Sequence, residues 1–148
     1  MQPIAVEVPK VERRWKVLLV VSVAVFMASL DLFIVNIAFP EIARDFEGAD
    51  VAQLSWVLNA YAIVFAALLV AAGRLSDRAG RRRGFLGGLL LFLAGSALSG
   101  LAPSLETLVA ARVIQATGAA FLVPTSLALL LPEFPAKERA TAIGIWAA

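Results

Sequence analysis

The stretch VLLVVSVAVFMASLDLFIVNIAF occupies Val17–Phe39 and contains a single ionisable residue, Asp31. A helix needs about 20 mostly apolar residues to cross a hydrocarbon core about 30 Å thick, so this stretch is long enough to span a membrane. Trp15 and Lys16 precede it, and Pro40-Glu41 follows it. A secretory signal peptide is the alternative, but its apolar core is usually only about 7–15 residues long and is followed by a small-residue cleavage site. A membrane span is therefore the preferred interpretation.

Three further runs along the chain have the same character. They cover residues 54–72, 84–102 and 107–131, and a shorter one starts near Ala140 and continues to Ala148. The whole chain is 61% hydrophobic and only 16% charged, with a mean hydropathy of +0.87, which is too apolar for an ordinary soluble domain. We predict an all-α membrane protein with a segment at 1–16 and a helix bundle at 17–148. The bundle has four spans and the start of a fifth, so we expect the chain to be incomplete.

The basic residues indicate how the spans are oriented. All but two of the thirteen lysines and arginines fall on one side of the predicted bundle: Lys10, Arg13, Arg14, Lys16, Arg74, Arg78, Arg81, Arg82, Arg83, Lys137 and Arg139. The positive-inside rule makes this side, and with it the amino terminus, cytoplasmic. We expect a multi-pass protein of the cell inner (plasma) membrane. Nucleic-acid binding is disfavoured, because no aromatic residue alternates with the arginines to stack on bases.

The composition also limits the possible chemistry. The sequence has no cysteine and no histidine, which excludes disulfides, thiolate or imidazole metal sites, and Cys or His nucleophiles from this chain. We expect no metal site, no cofactor and no enzymatic activity. Any proton transfer must use carboxylates.

Two charged residues, Asp31 and Arg112, lie within the predicted spans. A charge near mid-membrane costs about 2.5–3.5 kcal/mol on insertion scales, so it normally faces the bundle interior and has a partner or a task. With a rise of about 1.5 Å per residue, Asp31 is about 21 Å and Arg112 about 28 Å from the cytoplasmic ends of their spans. Both therefore lie in the outer half, and we expect them to face each other. A structural ion pair and a protonatable carboxylate tuned by a guanidinium are both possible.

Other polar and small residues in the spans suggest two weaker roles. Asn36, Asn59 and Gln115 are candidates for contacting a substrate, and so is Tyr61, although a satisfied interior polar group is the preferred interpretation of Asn59 and Tyr61. The small residues we expect to serve close helix packing are Gly84, Gly88, Gly95, Ser99, Gly118 and Ala120.

The segment between the second and third runs reads GRLSDRAGRRR at residues 73–83. It matches the pattern G-x-L-[SA]-D-R-x-G-R-[RK] at every defined position, and so resembles the cytoplasmic loop signature of the major facilitator superfamily. We expect Gly73 to let two helices approach, Gly80 to permit a turn, and Asp77 to need a cationic or helix N-terminal partner.

Two further stretches resemble the drug:proton antiporter branch of that superfamily, which usually has fourteen spans. The first span reads LDLFIVNIAFP at 30–40, similar to L-D-x-T-I-V-N-V-A-L-P, with Phe33 in place of the threonine. The fourth reads RVIQATGAA at 112–120, similar to R-x-x-Q-G-x-G-A-A, with Ala116 where a glycine is usual.

The resemblance implies the first part of a six-helix half of a transporter that exports small lipophilic or cationic compounds by proton exchange. It assigns proton coupling to Asp31 and Arg112. It assigns cytoplasmic gating to Gly73, Asp77, Arg78, Gly80, Arg81 and Arg82. The implied partners are a small-molecule substrate, protons, the lipid bilayer and the remaining half, with no nucleic acid. A non-transporting helix bundle or a truncation product with a scaffold role is the alternative, and the substrate, the direction of transport, twelve or fourteen spans and the oligomeric state stay open.

Overall fold

The computed structural model describes residues 10–46 and 48–147, and the chain forms helices joined by short connections. The helices are α1 (Lys10–Asp45), α2 (Val51–Ala79), α3 (Arg81–Gly100), α4 (Leu105–Leu130) and α5 (Arg139–Ala147), with 3₁₀ turns at Leu131–Glu133 and Ala136–Glu138. Helices α1 to α4 are each long and apolar enough to cross a membrane. The predicted all-α membrane class is therefore confirmed. Most of the predicted segment 1–16, and Ala148, lie outside the described residues.

Helix α1 does not end at Pro40, where the apolar run stops, but continues to Asp45. A proline removes one backbone hydrogen bond from the turn before it and does not by itself unwind the residues that follow. Arg44 and Glu41 support the last turn with an ion pair of 3.0 Å between Nη1 and Oε1. Hydropathy thus marks where the apolar surface ends, whereas the helix extends further.

The segment at 73–83, expected to be a loop, is helical apart from one residue. Helix α2 continues to Ala79 and α3 begins at Arg81, so only Gly80 separates them. Gly80 has φ of +106°, a conformation that side-chain-bearing residues rarely adopt. The predicted role of this glycine in the turn is confirmed, while the predicted extent of the loop is wrong.

Local sequence fixes the amino-terminal ends of α2 and α4. The carboxylate of Asp50 accepts a hydrogen bond from the backbone N–H of Gln53, whose side chain in turn accepts one from the N–H of Asp50. Ser104 and Thr107 form the same reciprocal arrangement at the start of α4. Such capping boxes satisfy backbone donors that would otherwise be left free, so both helices have well-defined starts.

Helices α3 and α4 pack closely along a seam of glycines. A Cβ atom on Gly95 would lie 2.6 Å from the backbone nitrogen of Gln115, and one on Gly88 would lie 2.9 Å from the carbonyl oxygen of Gly118. Neither distance is possible between real atoms, so the two backbones could not approach this closely with alanine at either position. The predicted packing role of these glycines is confirmed.

Helix α4 forms the centre of the bundle. Its small and aliphatic residues Ala116, Ala119, Ala120 and Leu122 are fully buried. Helix α1 packs on α4 through Leu18, Val21, Ala24 and Ala28, which lie on one side of α1 and are also buried. The side of α1 that faces α4 is the side that carries Asp31.

Candidate functional site

Asp31 on α1 and Arg112 on α4 form a buried ion pair. Nη1 of Arg112 lies 2.5 Å from Oδ2 of Asp31, and the side chains are 1% exposed for Arg112 and 14% exposed for Asp31. The pairing predicted from their depths is therefore present. Charges this poorly hydrated interact far more strongly than a surface pair, and each also depends on the other to offset its loss of water.

Gln115 joins the pair into a closed network. Its Oε1 accepts a hydrogen bond of 2.8 Å from Nη1 of Arg112, and its Nε2 donates one of 2.8 Å to Oδ1 of Asp31. Arg112 and Gln115 are one helical turn apart, so both side chains leave the same face of α4. As a result α4 occupies both carboxylate oxygens of Asp31. Gln115, expected as a weak substrate contact, belongs to the ion-pair network.

Helix α2 contributes two groups that the sequence analysis did not place beside the ion pair, although Tyr61 was a weak candidate for contacting a substrate. The Nε of Arg112 donates to the carbonyl oxygen of Val57 at 3.4 Å, and its Cζ lies 4.3 Å from the centre of the Tyr61 ring. A guanidinium at this distance from an aromatic face is stabilised by a cation–π interaction. Val57 and Tyr61 are four residues apart, so the sequence does indicate that they share one face of α2. It does not indicate that this face meets Arg112, because that depends on how α2 is rotated about its axis.

This arrangement makes the contact between α1 and α4 sensitive to the charge of Asp31. Arg112 stays protonated under all physiological conditions, whereas a carboxylate can take up a proton. Protonation of Asp31 would remove the negative partner of a buried guanidinium and weaken both hydrogen bonds to the carboxylate. Loss of the negative charge on Asp31 would therefore weaken the contact between the two helices.

Asn36 and Asn59 lie away from this network and are both exposed. The Nδ2 of Asn36 donates to the carbonyl oxygen of Leu32 in its own helix at 2.6 Å. Residues 31 and 36 are five positions apart, which places them on different sides of α1. The three residues expected to share a substrate cavity are therefore not brought together within the described part of the chain.

At the predicted cytoplasmic end, Asp77 has the cationic partner that was expected. The Nε of Arg81 donates to Oδ1 of Asp77 at 2.8 Å, and Nη1 of the same arginine donates to the carbonyl oxygen of Ala128 on α4 at 3.2 Å. Arg81 thus ties the α2–α3 turn to the end of α4. Arg78 and Arg82 are exposed.

Gly73 differs from what was expected. A Cβ atom there would lie 3.5 Å from Cβ of Pro124, which is an ordinary van der Waals contact. The approach of α2 to α4 at this point would accommodate alanine. Within the described residues, close packing gives no reason for a glycine at position 73.

The amino-terminal arginines have partners that sequence reasoning did not identify. Nη1 of Arg14 lies 2.9 Å from Oε2 of Glu138, and Nη2 of Arg13 lies 3.1 Å from Oε1 of Glu133. The Arg14 guanidinium also lies 5.5 Å from the centre of the Phe134 ring. These contacts join the start of α1 to the connection between α4 and α5.

Comparison with known proteins agrees with this architecture. The family model described as Major Facilitator Superfamily matches residues 21–148. The chain is 40% identical over 134 residues to the riboflavin transporter RibZ of Clostridioides difficile, which covers 90% of the chain and 29% of that protein. It is 47% identical over 133 residues to the multidrug resistance protein Stp of Mycobacterium tuberculosis, covering 88% and 24%. It is 43% identical over 136 residues to the multidrug efflux pump LfrA of Mycolicibacterium smegmatis, covering 91% and 27%.

The chain spans about a quarter of the length of these curated relatives. The family match, in contrast, extends over nearly the entire chain, from the first predicted span onward, and agrees with four spanning helices and with the superfamily signature at 73–83. On these grounds the chain is a multi-pass membrane protein and belongs to the Major Facilitator Superfamily.

Proposed function

We propose that this chain is the amino-terminal part of a transporter that exports small lipophilic or cationic compounds in exchange for protons. The observation that carries the proposal is the buried network of Asp31, Arg112 and Gln115. Asp31 is the proton carrier, and Arg112 is the fixed positive charge that pairs with its deprotonated form. Gln115 forms hydrogen bonds with both side chains and so keeps them in position.

In the proposed cycle, the deprotonated Asp31 accepts hydrogen bonds from α4 and holds α1 against it. Proton uptake neutralises Asp31, removes the ion pair and favours a second arrangement of the two helices. Substrate binding to the deprotonated form and proton binding to the other form then exclude each other. This exclusion is the requirement for exchange, because each ligand shifts the equilibrium only by its differential affinity for the two states.

The relatives support the class of substrate. Two of those named above are described as multidrug proteins, and others are named for resistance to methylenomycin A and to puromycin. One is named as a riboflavin transporter, so not all of these relatives are named for drugs. We propose efflux of small organic compounds as the general activity of the full-length protein.

We further propose that the protein resides in the cell inner (plasma) membrane with its amino terminus in the cytoplasm, as the distribution of lysine and arginine favours. The turn that contains Asp77, Gly80 and Arg81 then lies on the cytoplasmic side, where it would gate access with the other half. The central site of such transporters lies between two halves, so the chain alone is expected not to transport.

The test is proton-driven efflux by the full-length transporter in inverted membrane vesicles, measured across a range of pH with a panel of lipophilic cations that includes ethidium. The Asp31→Asn variant is expected to lose pH-dependent transport. Glu41→Gln is the matched control, because Glu41 is an exposed carboxylate on the same helix that pairs only with the neighbouring Arg44 among the described residues.

Intact pH-dependent efflux in Asp31→Asn would show that the carrier role is wrong. Failure of the wild-type protein to move any member of the panel would show that the proposed substrate class is wrong. Loss of transport in both variants would indicate general damage to α1 and would argue against a specific role for Asp31.

A further inference from the structure

A narrow crevice leads from the ion pair to the predicted outer end of the bundle. Its volume is about 330 Å³, and all four long helices contribute to its walls. Asp31, Arg112 and Gln115 form its inner end, whereas Asp45 and Ala102 line it near the outer ends of α1 and α3. The crevice lies inside this bundle, and is therefore distinct from a substrate cavity formed between two halves.

Two buried polar atoms belong to residues that line this crevice. Nη2 of Arg112 and Oγ of Ser99 are both buried, and neither has a hydrogen-bond partner within the part of the chain that the structure describes. Buried donors that protein groups leave unsatisfied are usually bonded to water. A water molecule takes about 30 Å³ in the liquid, so the crevice has room for several. Its size and its two unsatisfied donors both indicate a hydrated crevice.

We propose that this crevice is the proton path between Asp31 and the outer surface, and that Ser99 is a positioning residue for its water. The proposal rests on the proton-carrier role of Asp31 given above and adds the route. A proton from outside passes along hydrogen-bonded water to the carboxylate of Asp31, which becomes a carboxylic acid and releases Arg112. Asp45, an exposed carboxylate near the outer end, is placed to receive protons from bulk water.

A separate route has a mechanistic consequence. Substrate in the central cavity would leave the outer path to Asp31 open, so the two ligands would not block each other's entry by occupying the same space. Competition between the two ligands would then operate through the α1–α4 contact and not through a shared space.

The test is cysteine labelling from outside on the full-length transporter, in a background from which any cysteines beyond this chain have been removed. Ser99→Cys is treated with MTSET, a positively charged, membrane-impermeant reagent that attacks thiolates in water. Leu98→Cys is the matched control, because Leu98 is the neighbouring residue, is 49% exposed on the apolar surface of α3 and does not line the crevice. We expect Ser99→Cys to react at least about tenfold faster, since only a hydrated thiol ionises readily. Saturating ethidium should leave this rate unchanged.

Equal labelling rates for the two cysteines would overturn the proposal, as would protection of Ser99→Cys by substrate, which would place its access in the central cavity. If Ser99→Cys fails to reach the membrane, Ser96→Cys replaces it, because Ser96 lines the same crevice one turn away. The labelling experiment tests the proton path separately from the carrier role of Asp31. An unlabelled crevice together with loss of exchange in Asp31→Asn would refute the path alone, and intact exchange in Asp31→Asn would refute the carrier whatever the labelling shows.

A second readout addresses Ser99 as a positioning residue. Ser99→Leu should slow substrate-induced proton movement, whereas Ser99→Thr, which retains the hydroxyl group, should preserve it. Equal rates in the leucine and wild-type proteins would show that Ser99 does not order the water of the path.

Discussion

Asp31 and Arg112 are 81 positions apart in the chain, yet the carboxylate of the first and the guanidinium of the second are in direct contact inside the bundle. The contact is built from three helices, because α4 supplies the arginine and Gln115, α1 supplies the carboxylate, and α2 places Tyr61 against the guanidinium. A pair this enclosed is sensitive to the loss of either charge. The two losses should not be equivalent, and this difference is the first testable consequence.

We expect Asp31→Asn to lower the thermal stability of the purified full-length transporter more than Arg112→Gln does. Without Asp31 the guanidinium is buried with no counter-charge and cannot neutralise itself, whereas without Arg112 the carboxylate can take up a proton. Removing one partner of a buried pair costs about 3–5 kcal/mol, so a shift of several degrees is expected for Asp31→Asn. Thermal unfolding in detergent at pH 6 and pH 8 measures it. If Asp31→Asn and Arg112→Gln have the same melting temperature as each other at both pH values, the prediction is wrong.

Tyr61 should act through its ring and not through its hydroxyl group. Tyr61→Phe preserves the aromatic face below Arg112, while Tyr61→Leu removes an interaction of about 0.5–2 kcal/mol. We expect near-normal stability and efflux in the phenylalanine variant and reduced values for both in the leucine variant. A phenylalanine variant as impaired as the leucine variant would show that the hydroxyl group is required.

Gly95→Ala should disturb the site indirectly. The added methyl group would collide with the backbone of Gln115, and overpacking of this kind costs about 1–3 kcal/mol. Gly87→Ala is the control on the same helix, since nothing described lies within 4 Å of a Cβ at that position. We expect lower folded yield and lower thermal stability in Gly95→Ala only, measured by size-exclusion chromatography of detergent-solubilised protein before and after heating. Matching profiles for the two variants would mean that α3 and α4 can move apart enough to accommodate the added methyl group.

The turn between α2 and α3 provides a prediction for gating. Arg81→Ala removes both the ion pair to Asp77 and the hydrogen bond to α4, and Asp77→Ala removes the first of these. We expect reduced efflux in both, with the larger loss in Arg81→Ala. Arg83→Ala is the control, because Arg83 is exposed in the same motif and makes no side-chain hydrogen bond or ion pair among the residues described. Unchanged activity in Asp77→Ala would remove its gating role.

The fold class and the charged centre could be predicted from the sequence because both follow from hydropathy. Long apolar runs identify spans, and a charge inside a span is costly enough that Asp31 and Arg112 were expected to meet. The ends of α1 and α2 could not be read in the same way. The segments after Pro40 and around Asp77 are rich in charged residues, but they also contain good helix formers such as alanine, arginine and glutamate or leucine, and hydropathy does not distinguish a charged helix from a loop.

The contacts of Tyr61, Gln115 and Arg14 required the structure. Each depends on how a helix is rotated about its own axis, and that rotation is set by the glycine seam between α3 and α4 together with the packing of α1 and α2 on α4. Spacing within one helix shows which residues share a face. It does not show which neighbouring helix that face meets.

The most direct test of Asp31 as the proton carrier is substrate-induced proton release, measured with a pH indicator on the detergent-solubilised full-length transporter in weakly buffered solution. The wild-type protein should release protons when a transported cation such as ethidium is added, and Asp31→Asn should bind the same cation without releasing any. Proton release of wild-type size from Asp31→Asn would place the carrier elsewhere in the protein, and would leave the Asp31–Arg112 pair as a structural contact only.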